Sequence, residues 1–124
     1  MKVRSVKGTA DVLPEERAAW RRVESAAARV LGNAGAGELS VPVFEYVDVF
    51  TKSVGESSDI VVPKEMYVFE DRGGRSLALR PEFTAGIMRA FVEHGMHTRP
   101  LPVKLWTMGP AFRAENVQRG RYRQ

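Results

Sequence analysis

The chain contains no cysteine. That removes disulfides, thiolate nucleophiles and cysteine-based zinc sites together, and it fits a reducing compartment. Long apolar runs are missing as well. No stretch approaches the ~20 residues needed to span a bilayer, and Met1-Lys-Val-Arg-Ser-Val-Lys-Gly8 lacks the apolar segment of a secretory signal. A cytoplasmic location is the expectation. Histidine is confined to His94 and His97; with no third ligand evident they read as solvated side chains rather than metal ligands. Neither a G-x-x-x-x-G-K-[ST] loop nor a G-x-G-x-x-G turn occurs, so any phosphate must be held by arginines. Internal repeats and low-complexity tracts are absent too.

What is present is ordinary in amount and unusual in placement. With 124 residues, 44% hydrophobic and 27% charged, the chain suits one packed domain, small for a complete enzyme with several substrates. Its pI near 9.8 would favour a polyanionic partner, but a formal charge of +4 spread evenly would mean little. It is not spread evenly. The last sixteen residues, Gly109 to Gln124, set Arg113, Arg119, Arg121 and Arg123 against the single acid Glu115, which accounts for +3 of that +4. Planar guanidinium forks suit bidentate grasp of phosphate or carboxylate. If this segment is a strand, Arg119, Arg121 and Arg123 share one face. The spacing alone leaves open an ordinary charged hairpin with its arginines in solvent.

Along the chain, residues 1–13 read as an extended arm. Pro14 fits the first turn of a helix, and Glu15 and Glu16 suit its positive N-terminus. Trp20, Val23, Ala27, Val30 and Leu31 recur at helical spacing opposite Arg17, Arg21, Arg22 and Glu24, which predicts an amphipathic helix of about five turns. Gly32, Gly35 and Gly37 are expected to end it. Leu39, Val41 and Val43 alternate as one strand over 38–45, placed at an edge by Pro42. The helix and this strand could meet a second subunit or simply cover their own sheet. Residues 46–64 are less regular. Met66–Phe69 and Ser76–Leu79 predict a hairpin around Asp71-Arg-Gly-Gly74. Thr84–His94 reads as a helix burying Ile87, Met88, Phe91 and Val92, and Val103–Met108 as a strand. Antiparallel strands with helices between them indicate α+β architecture.

Two segments besides the arginines could carry chemistry. In Leu79-Arg-Pro-Glu-Phe-Thr84 a strand end delivers Glu82 and Thr84 to a helix start, where a carboxylate and a hydroxyl can hold an ammonium group. Taken alone, a helix cap explains them better. Lys64-Glu-Met-Tyr67 says by itself only that a strand begins.

Together these segments resemble the histidyl-tRNA synthetase family, within class II of the aminoacyl-tRNA synthetases. Lys7-Gly8-Thr9-x-Asp11-x-Leu13-Pro14 is similar to its N-terminal signature, and the helix with Val41-Pro42-x-Phe44-Glu45 to class II motif 1. Val54-Gly55-Glu56, Asp59-Ile60-Val61 and Lys64 to Tyr67 are similar to the segments after it. Leu79-Arg80-Pro81-Glu82-x-Thr84-Ala85 resembles the histidine-binding segment, and Gly109-Pro110-x-Phe112-Arg113-x-Glu115 with Gln118 and Gly120 to Gln124 resembles motif 2. The resemblance implies part of the class II antiparallel sheet flanked by helices. It also implies ATP-dependent activation of histidine to histidyl-adenylate and transfer to tRNA(His). Arg113 would hold the α-phosphate and the attacking carboxylate, Glu115 and Arg121 would bind ATP with Mg2+ as its counterion, and Glu82 and Thr84 would receive the histidine ammonium. Asn116, Gln118 and Arg119 would lie near the tRNA acceptor end. A homodimer through the motif 1 helix and strand is expected, with no tightly bound cofactor and no protein-held metal.

This chain departs from the family pattern in places. Phe83 stands where the family has glycine, so a ring is expected to crowd the amino-acid pocket or distort the backbone. Asn116 and Val117 replace Arg-Pro. The family continues past Gln124 with the rest of the motif 2 strand, motif 3 and an anticodon-binding domain, so residues 1–124 are expected to be the N-terminal portion of a catalytic domain. A non-catalytic relative, such as the regulatory subunit of ATP phosphoribosyltransferase, is the alternative, and ATP binding separates the two.

Overall fold

In the computed structural model, which describes residues 2–52 and 65–114, Pro14 opens helix α1 (Pro14–Asn33). Glu15 and Glu16 fill the first turn, where carboxylates oppose the helix dipole. Arg17 reaches Glu24 at 2.9 Å along the helix, and this bond holds the Glu24 carboxyl below its ordinary range. The helix runs through Gly32 and closes where the N–H of Ala34 donates to the Val30 carbonyl and that of Gly35 to the Gly32 carbonyl. No residue of α1 is buried. Its apolar stripe, with Trp20, Val23 and Val30, faces outward within this chain.

The single strand expected over 38–45 is two strands. β1 (Gly37–Glu38) pairs in parallel with β5 (Leu105–Trp106), whereas β2 (Phe44–Tyr46) joins a different sheet. Pro42 lies between them, and a residue without an N–H cannot carry a ladder through. The stretch expected to be irregular after Tyr46 forms α2 (Val47–Lys52), steadied by the pair Asp48 and Lys52 at 2.6 Å.

β3 (Val68–Glu70) and β4 (Ser76–Leu79) form the expected hairpin, beginning two residues later than Met66. Its turn is built around Asp71. The Oδ1 atom accepts the N–H groups of Gly73 and Arg75, both at 2.9 Å, while Oδ2 meets Arg75 Nε at 2.6 Å. Gly74 takes φ +76°, a left-handed backbone that costs a residue without Cβ little. β2 pairs antiparallel on the other side of β4, giving the order β2-β4-β3 and the expected α+β class.

Alternation decides which side of this sheet is covered. Ala78, fully buried, points toward Phe50 of α2, Ala85 of α3 (Thr84–Glu93) and Met66, and these four residues form the core with Val47 and Val49 against it. The other side carries Leu77 and Leu79 together with Phe44, Tyr46 and Phe69. The rings of Phe44 and Phe69 meet edge to face at 5.9 Å. After α3 the chain makes a 3₁₀ turn at Met96–Thr98 and returns to β5, shorter than the strand expected over 103–108.

Candidate active site

The site is a seam where the end of β4 and the start of α3 lie beside residues 109–114. Three hydrogen bonds stitch it. The Phe112 N–H donates to the Arg80 carbonyl at 2.9 Å, Arg80 Nε donates to the Pro110 carbonyl at 2.8 Å, and Arg113 Nε donates to the Pro81 carbonyl at 3.0 Å. A fourth contact adds a third segment: the Ala114 N–H donates to the Glu65 carbonyl at 2.7 Å. Arg113 is therefore anchored next to Glu82, although 31 positions separate them in the numbering.

Glu82 is half-buried and caps α3. Both carboxylate oxygens, on the residue before the N-cap Phe83, accept the Ala85 N–H at 3.2 Å, a negative charge at the positive end of the helix. Thr84, the first residue of the helix, is exposed. The seam thus brings three expected residues, Glu82, Thr84 and Arg113, into one neighbourhood. Glu115, Asn116, Gln118, Arg119 and Arg121 lie outside the described residues, as do residues 54–61 and Lys64.

Phe83 does not distort the backbone. Its φ of −103° and ψ of −27° are ordinary right-handed values open to any residue. Its ring stacks under Arg80, whose guanidinium carbon is 4.5 Å from the ring centroid. Arg80 is only 5% exposed, and Nη1 also donates to the Val41 carbonyl at 3.0 Å. Burial holds its guanidinium below the usual arginine range.

Sequence reasoning assigned no role to Arg80. The signal was there: an arginine directly following the apolar strand Leu77-Ala-Leu79 must find acceptors if it turns inward. A second buried charge escaped notice too. Glu45 of β2 pairs with Arg89 of α3 at 2.8 Å, and Arg89 also meets Glu93, so its guanidinium is held above the usual arginine range, first by the Glu45 bond. His94 and His97 are exposed, and the His97 ring lies 6.5 Å from that of Phe91.

The α+β sheet with its flanking helices is part of the class II synthetase antiparallel fold. The model of the histidyl-tRNA synthetase family matches residues 8–124. Histidine–tRNA ligase from Thermus thermophilus is 54% identical over 124 residues, covering 100% of this chain and 29% of the relative, and that from Pelobacter propionicus is 48% identical, covering 100% and 30%. Among solved structures, apo S. aureus histidyl-tRNA synthetase superposes with a TM-score of 0.77 at 35% identity, over 90% of this chain and 30% of that one. An ATP phosphoribosyltransferase regulatory subunit/histidyl-tRNA synthetase from Bacillus halodurans matches with a TM-score of 0.79 at 21% identity, over 94% and 29%, a likeness of fold alone. The chain belongs to the histidyl-tRNA synthetase family. It spans about 30% of the length of these relatives.

Proposed function

We propose that this chain is the part of a histidine–tRNA ligase that carries motifs 1 and 2 and serves the activation of histidine in the cytoplasm. The observation that carries the reading is the anchoring of Arg113 beside the Glu82 and Thr84 segment. That anchoring supports a reading in which a cation for phosphate and a carboxylate for ammonium serve one substrate.

In this reading a histidine carboxylate oxygen attacks the α-phosphorus of ATP, pyrophosphate leaves, and histidyl-adenylate then passes its acyl group to tRNA(His). Arg113 holds the α-phosphate and the attacking carboxylate, so its hydrogen bonds strengthen as negative charge gathers in the transition state. Glu82 and Thr84 hold the α-ammonium. Glu115 and Arg121 position ATP, which enters as its magnesium complex, and Asn116, Gln118 and Arg119 face the acceptor end of the tRNA. A second copy of the chain packs against α1 and the motif 1 segment at residues 41–45.

Histidine-dependent ATP–pyrophosphate exchange tests the proposal, with Arg113→Ala as the control. It is measured on the purified chain and on the same chain joined to the segment that follows the match in the Thermus thermophilus relative. We expect exchange that requires histidine and falls about 100-fold or more in the control. Histidine binding without ATP binding or exchange in either form would favour a regulatory relative. No ATP binding in either form would overturn the ligase reading.

A further inference from the structure

We propose that Arg80 is a positioning residue for Arg113, and that the Phe83 ring and the absence of a side chain at Gly109 hold Arg80 in the one orientation that does this.

Arg80 is tied at every handle. Its backbone N–H donates to the Val43 carbonyl at 2.8 Å and its carbonyl accepts the Phe112 N–H at 2.9 Å. Its side chain spans the Val41 and Pro110 carbonyls. No carboxylate pairs with it among the described residues. A buried cation satisfied by carbonyl dipoles alone depends on their placement, and the fork of a guanidinium fixes two of them at once where an ammonium would fix neither direction. The Phe83 ring covers the guanidinium face, adding a cation–π contact that strengthens as water is excluded.

Gly109 closes the arrangement. A Cβ there would come within 2.5 Å of Arg80 Nη2 and 3.7 Å of Phe83 Cε1. The arginine tip is flexible in general, but here it is held by two carbonyls and a ring, so it cannot yield without releasing Pro110. Pro110 is three residues before Arg113, and the same segment is pinned again at Phe112 and at the Arg113 side chain. The bond from Arg80 to Pro110 thus sets where the Arg113 guanidinium begins, and a shift of about 1 Å in such a group is enough to cost catalysis heavily. Phe83, unexpected at this position, acts on the arginine above it.

The functional half of this inference rests on the proposed phosphate role of Arg113; the geometric half does not. The test follows the arginine Nε–H signals of the full chain by NMR, with hydrogen exchange at Arg113 as the readout. Phe83→Leu, Gly109→Ala and Arg80→Lys are each expected to speed Arg113 Nε–H exchange at least tenfold while the amides of Ser76–Leu79 keep their protection. Phe83→Tyr, which restores the ring, is expected to keep the wild-type rate. Exchange at Arg113 within twofold of wild type in both Phe83→Leu and Arg80→Lys would overturn the proposal, and so would a loss of protection spread equally over β4. In the pyrophosphate-exchange assay Phe83→Leu is expected to lower kcat about tenfold with the KM for histidine unchanged; a change confined to that KM would overturn the positioning role. A wild-type chain that binds no ATP, with Arg113 still released by Phe83→Leu, would refute the ligase reading and leave the positioning intact.

Discussion

The carboxylate of Glu45, in the middle of β2, lies 2.8 Å from the guanidinium of Arg89 on α3, and it is the bond that joins that helix to the strand across the core. Glu45 is 7% exposed at its side chain and Arg89 28%. Removing one partner of a buried pair leaves the other charged and unpaired, which costs about 3 kcal/mol or more. Arg89→Ala should therefore lower the stability of the chain by that amount in urea titration. The double replacement Glu45→Gln with Arg89→Leu should recover a large part of it. A loss below about 1 kcal/mol for Arg89→Ala would show that water reaches Glu45.

The β3–β4 turn carries a pH dependence of known sign. Backbone donation from Arg75, with the Arg75 side chain and the Gly73 N–H, holds the Asp71 carboxyl below its ordinary value. A carboxyl depressed in the folded state binds its proton more readily when unfolded. Its contribution is therefore full above the unfolded value, about pH 4, and is lost as pH falls through the lower folded value. Asp71→Asn should flatten the melting temperature between about pH 4 and 2 relative to wild type. An unchanged slope would show that other acids set the acid limb.

Glu82 has two assigned duties that one pair of variants separates. Glu82→Gln keeps an oxygen for the Ala85 N–H but loses the charge, whereas Glu82→Ala loses both. The alanine variant should be destabilised by about 1 kcal/mol, the glutamine variant by much less. Both should raise the histidine KM for pyrophosphate exchange about tenfold to 100-fold, the worth of a hydrogen bond to a charged group. A normal KM in the glutamine variant would reduce Glu82 to a helix cap.

Helix α1 exposes 63% of Val23 and 60% of Val30. A stripe of this kind on a helix without buried residues calls for a partner, which we expect to be a second copy. Sedimentation should show a dimer, and Val30→Glu should shift it toward monomer at least tenfold in Kd without lowering the helix signal. A monomeric wild-type chain would remove the dimer from the proposal.

Helix α1, the Asp71 hairpin and the extent of α3 were legible because each is specified within a short window, by period, cap or turn chemistry. The face that α3 buries was not, because the small residues Ala85, Gly86 and Ala90 pack inward while Met88 and Val92, expected in the core, are exposed. The failures lie where distant residues decide. Val47-Asp-Val-Phe-Thr-Lys52 has the β-branched content of a strand, yet it turns helical because Phe50 is drawn into the core, where it is 1% exposed. The strand expected through Pro42 divides because its two halves find partners at Leu105 and Leu79. At the site, the resemblance pointed to Glu82, Thr84 and Arg113, and the fold brings them together. Arg80 needed coordinates, since its acceptors come from Val41 and Pro110.

The pairing of β1 with β5 has a consequence for synthesis. Lys104 Nζ donates to the Ala34 carbonyl 70 residues away, and the Gly37 and Leu39 N–H groups donate to Lys104 and Trp106. A chain emerging from the ribosome therefore leaves β1 unpaired for seconds before β5 exists, at roughly 5–20 residues per second. A lone helix of the length of α1 is marginal in water. Its amphipathic stripe, with Val23 and Val30 exposed, then offers a nascent-chain chaperone an apolar surface well before the sheet beside it can close.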